Sequence, residues 1–283
     1  MTPVDHIALT WLRALGAQRH FVPSPHGPLH ALDLAGSGEL GTIVLLHGLS
    51  ARCSHFAPLV RHLRRHFSRL VMPDLLGHGF SAVPSEPIQS GQLQEALEIL
   101  VDALVEEPRA LYGNSLGGYC AIQLAAASPE RYTALVVNSP AGARIQQTTI
   151  SEYRSRFQVK SHADAMAFLE QYFGEPIPMR PLVARGVLRQ LRSPFVQSYI
   201  EQITDADCLE AEHFARLKMP TLLLWGQRDG IMIPEQLAYF RQHLPPSARL
   251  EEPEHYGHAP YIEHPADLAG RILGFVRETR PQG

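Results

Sequence analysis

Leu111-Tyr112-Gly113-Asn114-Ser115-Leu116-Gly117-Gly118-Tyr119-Cys120 is the stretch from which the fold is read. The residues before it, Arg109 to Tyr112, are short, apolar and suited to a buried strand. Those after it, Tyr119 to Ala127, are Ala-rich and helix-forming. Gly113, Ser115 and Gly117 therefore occupy a strand-to-helix turn. A serine in such a turn sits in strained backbone, with its hydroxyl pushed out at the end of the sheet. Glycines two positions to either side let neighbouring backbone approach where a Cβ would clash. The start of the helix adds unpaired backbone N–H groups beside the hydroxyl. The Gly-x-Ser-x-Gly pattern is weak by itself, and its meaning depends on the rest of the chain.

Outward from that turn, other apolar runs repeat the rhythm. Thr42 to Leu46, Arg69 to Met72, Ala134 to Asn138, Thr221 to Trp225 and Ser247 to Glu251 read as strands. Residues 55–66, 90–106 and 265–278 read as helices between and after them. Two short extended segments, His20 to Pro25 and Leu29 to Leu34, flank Pro25-His26-Gly27-Pro28 and read as a hairpin. Nearly all-apolar strands alternating with helices predict an α/β fold with a doubly wound, mostly parallel sheet covered on both faces. From about 141 to 218 the alternation stops: helical patterns such as Ala163 to Phe173 and Pro194 to Gln202 appear, without a clear strand. The expected organisation is a core from residues 1–140 and 219–283, with a helical cap, 141–218, inserted between. Phe157, Phe168, Tyr172 and Phe173, together with Met166 and Leu169, are candidates to line an apolar substrate pocket, or to form the cap's own core. Arg185, Arg189 and Arg192 share a helical face and read as a solvated surface, with carboxylate binding as the alternative.

Composition sets the class. The 283 residues are 45% hydrophobic and 19% charged, with a net charge of −3. That balance gives no electrostatic reason to expect nucleic acid as a partner. No run approaches the roughly 18 apolar residues of a membrane span. Cys53, Cys120 and Cys208 are odd in number and widely spaced, which predicts no disulfide framework and a reducing, cytoplasmic compartment. Residues 1–18 lack a basic start and a small-residue cleavage site, so no signal peptide is read there. Ile7, Trp11, Leu12 and Leu15 fall on one helical face, expected to pack on the domain, with contact to a membrane or partner as the alternative.

A lone serine is a poor nucleophile; it needs a base in reach and a group that orients the base. In open α/β sheets such groups gather at the carboxyl ends of the strands. Asp229 follows the strand ending at Trp225, His258 the strand ending near Glu251, and His47-Gly48 the strand ending at Leu46. The chain order is then Ser, Asp, His. Among rivals, His255 lies three residues before His258, and Asp74 also follows a strand. Asp205 and Asp207 are weaker candidates, and His47 and His78 read as structural. His62 and His66 share a helix face but lack acidic companions for a metal.

Taken together, these segments resemble the α/β-hydrolase fold family over nearly the whole chain outside the cap. His47-Gly48 is similar to its His-Gly turn, and Asp74-Leu75-Leu76-Gly77-His78-Gly79-Phe80-Ser81 to its Asp-x-x-Gly-His-Gly-x-Ser loop. Gly113 to Gly118 resembles its nucleophile elbow and Gly226-Gln227-Arg228-Asp229 its acid loop. Gly257-His258-Ala259-Pro260-Tyr261-Ile262-Glu263-His264-Pro265 resembles its Gly-His-x-Pro-x-x-Glu-x-Pro segment. The resemblance implies Ser115 as nucleophile, His258 rather than His255 as base and Asp229 rather than Asp74 as acid. It also implies an oxyanion hole from the backbone N–H groups of Leu49 and Leu116, a small-molecule substrate, and neither metal nor organic cofactor. Serine at position 115 separates the chain from the aspartate-using dehalogenase and epoxide-hydrolase branches. Leu49 differs from the small or polar residues frequent in hydrolases of carbon–carbon bonds, although the elbow resembles theirs too. Carboxylic-ester hydrolysis is therefore the leading expectation, with carbon–carbon bond, thioester, lactone or amide hydrolysis as alternatives. A non-catalytic ligand-binding receptor would be expected to carry a damaged triad, and no such damage is seen.

Overall fold

The apolar runs become the centre of an eight-stranded sheet in the computed structural model, which describes residues 2–88, 91–106, 108–204 and 207–279. In chain order the strands are β1 (Gln18–Val22), β2 (Leu29–Ala35), β3 (Thr42–Leu46), β4 (Arg69–Pro73), β5 (Pro108–Asn114), β6 (Ala134–Asn138), β7 (Thr221–Leu224) and β8 (Arg249–Glu251). Their spatial order is β1-β2-β4-β3-β5-β6-β7-β8. β1 and β2 form the expected antiparallel hairpin, β2 pairs antiparallel with β4, and every later pairing is parallel. The central strands carry apolar side chains to both faces because both are covered: β6 is buried at every position.

Helices supply the cover. α1 (Pro3–Ala14), α2 (Ala57–Leu63), α11 (Pro260–Glu263) and α12 (Pro265–Glu278) gather on one face; α3 (Gln92–Leu104) and α4 (Leu116–Ala127) gather on the other. α4 is apolar almost all round and is buried from Leu116 to Ala126 except at Tyr119 and Gln123, as a central helix must be. Between β6 and β7 come α5 (Gln147–Ser155), α6 (His162–Tyr172), α7 (Arg180–Leu191), α8 (Pro194–Gln202) and α9 (Ala211–Ala215), with no strand among the described residues. α10 (Pro234–His243) follows β7. Arg185, Arg189 and Arg192 are exposed, as the solvated reading requires.

One expectation holds only in part at the N-terminus: Leu12 is buried and Leu15 packs against the core. The face of α1 that packs inward is Asp5, Leu9 and Leu12, whereas Ile7 is 70% and Trp11 36% exposed. The spacing Asp5, Leu9, Leu12 is itself a helical stripe, and an aspartate inside it hides the stripe from a search for apolar residues. Asp5 is tolerated there because its carboxylate accepts from the Thr2 N–H in a capping box and pairs with His55 Nε2 at 2.8 Å.

The register decides where function can sit. Leu46 aligns with Gly113, Asn114 with Asn138, Asn138 with Leu224, and Leu224 with Glu251. The loops leaving β3, β5, β6, β7 and β8 therefore open at one edge of the sheet.

Candidate active site

At that edge Ser115 links β5 directly to α4, with φ 55° and ψ −118°, a region that costs a non-glycine residue about 1–3 kcal/mol. The surroundings hold it there. Its N–H donates to Asn138 O at 3.0 Å, and its carbonyl accepts from Tyr119 and Ala141 N–H, both at 3.0 Å. The flanking glycines are required by close approach. A Cβ on Gly113 would lie 2.3 Å from Gly117 O, and one on Gly117 would lie 2.1 Å from Leu46 O.

His258 and Asp229 arrive on the loops after β8 and β7. Asp229 Oδ1 accepts the N–H groups of Ile231 and Met232 at 2.9 and 3.1 Å, while Oδ2 faces His258 Nδ1 at 2.7 Å. The Asp229 carboxylate is fully covered and the imidazole is 3% exposed. Burial pushes the Asp229 carboxyl upward, but the facing His258 charge and hydrogen bond pull it further down, leaving it below the ordinary carboxylate value. Among the described residues, no side-chain or backbone group hydrogen-bonds His258 Nε2. Asn138 joins this pair to the serine: its carbonyl takes the Ser115 N–H, and its Nδ2 donates to His258 O at 3.3 Å and to Asn114 Oδ1 at 2.9 Å. Asn138 belongs to none of the motifs that mark Ser115, Asp229 and His258. The signal was a polar residue closing an otherwise apolar buried strand.

The loop after β3 supplies the other wall. His47 Nε2 accepts the Leu75 N–H at 3.1 Å, so its proton lies on Nδ1, which donates to Gly48 O at 2.8 Å. Burial and the neighbouring His78 push His47 down to about 3, so the ring stays neutral. Anchoring the Gly48 carbonyl turns the Leu49 N–H of the same trans peptide the opposite way. Gly48 lies so close that a Cβ on it would be 3.2 Å from Ser115 Cβ. Leu49 and Leu116 both border a cavity of about 70 Å³ that Ser115 also lines, and neither backbone N–H donates to another described residue. Two unused N–H groups beside a hydroxyl can bind a developing oxyanion.

The four aromatic candidates divide. Phe157 borders the Ser115 cavity with Tyr153 and Tyr199; Phe168, Tyr172 and Phe173 line a second cavity of about 230 Å³. Tyr172 also meets the His258 ring edge-on at 5.1 Å, and its carbonyl accepts the His258 N–H at 2.7 Å. The end of α6 thus straps both loops: Gly230 N–H donates to Gln171 O, and Gly174 N–H to Glu263 Oε1 at 2.6 Å. Burial pushes the Glu263 carboxyl up to about 7.

The rivals sit elsewhere. His255 points to Asp267 of α12, 3.4 Å away, and is part-exposed. Asp207 borders the Ser115 cavity but caps Thr204; Asp205 lies outside the described residues. His66 Nδ1 contacts Arg277. Asp74 pairs with His30 Nδ1 at 2.7 Å, accepts N–H groups from Cys53 and Phe80, and is wholly buried. His30, Cys53 and Asp74 come close enough to suggest a metal site, but these hydrogen bonds already engage both carboxylate oxygens and one imidazole nitrogen.

The family model of the alpha/beta hydrolase fold matches residues 41–265. The chain belongs to the α/β-hydrolase fold family. Among its relatives, Lipase 1 of Psychrobacter immobilis is 27% identical over 249 residues, covering 82% of this chain and 76% of that protein. The pimeloyl-[acyl-carrier protein] methyl ester esterase of Stenotrophomonas maltophilia is 28% identical over 262 residues, covering 88% and 97%. A crystal structure of a bacterial membrane phospholipase A superimposes with a TM-score of 0.84 at 26% identity, over 98% of this chain and 92% of that one. With relatives named as esterases and lipases, the chain is a hydrolase of this family. No helix among its described residues is long and apolar enough to cross a membrane.

Proposed function

We propose that this hydrolase cleaves carboxylic esters through a Ser115–His258–Asp229 triad and an acyl-enzyme. The observation that carries the reading is the state of His258: Nδ1 is anchored on a buried carboxylate, and Nε2 has no partner among the described residues. An imidazole held so is a base in the right tautomer. His258 Nε2 takes the Ser115 Oγ proton as Oγ attacks the ester carbonyl. The carbonyl oxygen becomes an oxyanion held by the Leu49 and Leu116 N–H groups, each donor worth about 3 kcal/mol. Collapse breaks the ester C–O bond, and His258 returns the proton to the departing alcohol. Water then enters, gives a proton to His258 and attacks the acyl carbonyl; the acid leaves and Ser115 recovers its proton. Asp229 stabilises the imidazolium without accepting the proton.

Residues 141–218 serve in this reading as a cap, since Tyr153, Phe157 and Tyr199 wall the Ser115 cavity. The substrate is correspondingly small or hydrophobic near the reacting carbonyl. Buried, free Cys53 and Cys120 suit a reducing, cytoplasmic setting.

A fluorophosphonate probe should label Ser115 in the wild type and leave Ser115→Ala unlabelled. In the same variant ester turnover should fall about a million-fold with an unchanged melting temperature. Absence of labelling in folded wild-type protein would overturn the mechanism. Turnover of ring-fission dienones or thioesters, with none of esters, would keep the triad and change the substrate.

A further inference from the structure

α1 lies before the region matched to the family, which begins at residue 41, yet it forms one wall of the larger cavity. Val4, Asp5 and Ala8 of α1 face Val183 and Val187 of α7 and the aromatic end of α6 across about 230 Å³. Leu49, in the loop carrying one of the proposed oxyanion donors, borders both this space and the about 70 Å³ cavity that Ser115 lines. The larger wall is mostly apolar. Its charged members are already engaged, Asp5 with His55 at 2.8 Å and with Arg52 at 3.8 Å. Among the described lining residues, Ser54 Oγ is the buried side-chain polar atom without a partner.

We infer that α1 is a substrate-binding element, and that the cavity beneath it takes one long, neutral, apolar arm of the ester while the Ser115 cavity takes a short one. This rests on the ester reading above. An apolar cavity of about 150 Å³ accommodates benzene; on that scale the larger space holds a chain of about eight carbons and the smaller one two or three. Asp5 at the wall disfavours an anionic tail, and the Ser54 hydroxyl can meet one polar atom.

The test uses the full chain and two ester series: methyl esters of lengthening acids, and acetates of lengthening alcohols. In one series kcat/KM should climb about fourfold per methylene to about eight carbons; in the other it should stall after two or three. Ala8→Phe and, from the opposite wall, Val187→Phe should each lower the long-to-short ratio at least tenfold, with folding checked by melting temperature. A ratio unchanged in both folded variants, or stalling in both series, would overturn the inference. Binding of 1-octanol to Ser115→Ala, measured by calorimetry, separates the two readings. If 1-octanol binds and Ala8→Phe weakens it at least tenfold, the cavity stands even where no ester is cleaved. If esters are cleaved but 1-octanol binding is absent or indifferent to Ala8→Phe, the inference about α1 fails alone.

Discussion

The molecule carries two buried histidine–aspartate pairs with the same 2.7 Å Nδ1···Oδ2 contact, His258–Asp229 and His30–Asp74. They differ in what the second nitrogen does. His30 Nε2 accepts from Arg19 Nε at 3.3 Å, so that ring has both nitrogens occupied and no lone pair to offer. His258 Nε2 has no such partner among the described residues. They differ also in the aspartate. Asp74 spends both oxygens on backbone donors, Oδ1 on Cys53 N–H and Oδ2 on Phe80 N–H. Asp229 takes both its backbone donors on Oδ1 and keeps Oδ2 for the imidazole. A pair of this kind is structural when every lone pair is spent and able to transfer a proton when one is kept back.

The largest effect should come from the two histidines. His258→Ala should lower kcat by about a million-fold, the scale for one member of a triad, while the protein stays folded. His30→Ala should leave turnover per folded molecule within tenfold. It strands the buried Asp74 charge, however, and should cost about 3–5 kcal/mol of stability, or roughly 10 °C in melting temperature. Reversed results would move the base to β2 and end the comparison.

Asparagine at the two aspartates sharpens it. In Asp229→Asn the amide oxygen can keep the Ile231 and Met232 bonds and turn its NH₂ toward His258. The ring then has to present Nδ1 as acceptor and carry its proton on Nε2, the wrong tautomer for taking one from Ser115. A loss of about 10⁴-fold in kcat with little change in melting temperature is expected. In Asp74→Asn either orientation sets an NH₂ against a backbone donor. That should lower the melting temperature by several degrees, about 2–3 kcal/mol, with kcat within tenfold. Steady-state kinetics and thermal melts on the same preparations decide between these outcomes.

The alternation of apolar runs and the Ser115 turn made the sheet and its carboxyl edge legible, because burial on both faces leaves the central strands few polar positions. Ser115 was nameable as a candidate because it lies just past such a run, whereas His258 rather than His255 and Asp229 rather than Asp74 were named from the family resemblance of their loops. Less visible was what depends on packing between distant segments. α10 turns only Gln236, Leu237 and Phe240 inward, too short a stripe to stand out. The inward face of α1 contains Asp5, whose partner His55 lies 50 positions away. Phe157 and Phe168 share a segment and so read as parts of one pocket, but Phe157 lies in the turn after α5 and Phe168 on α6, and they line different cavities. The set of groups that engages Asp74 also escapes the sequence, because Cys53, Phe80 and His30 lie in three separate segments of the chain.

Acid should reveal the smallest difference. Burial raises the Asp74 carboxyl, but the His30 hydrogen bond, the neighbouring His47 and His30 rings and the Cys53 N–H bring it down to about 2 from an ordinary 3.8. A carboxyl depressed in the folded state binds its proton more readily when unfolded. The stability it contributes is therefore complete above about pH 4 and lost as pH falls toward 2, a contribution of about 2 kcal/mol. Asp74→Asn has no such proton to bind. Its stability gap from wild type, measured by denaturant unfolding, should be widest near pH 5 and narrow steadily to pH 2. Asp229 is lowered in the same direction, but its asparagine variant keeps the loop bonds, so its gap should be smaller at every pH. A gap for Asp74→Asn that stayed constant from pH 5 to pH 2 would mean that shape, not ionisation, holds the His30–Asp74 pair. The two pairs would then differ in kind and not only in which lone pairs they spend.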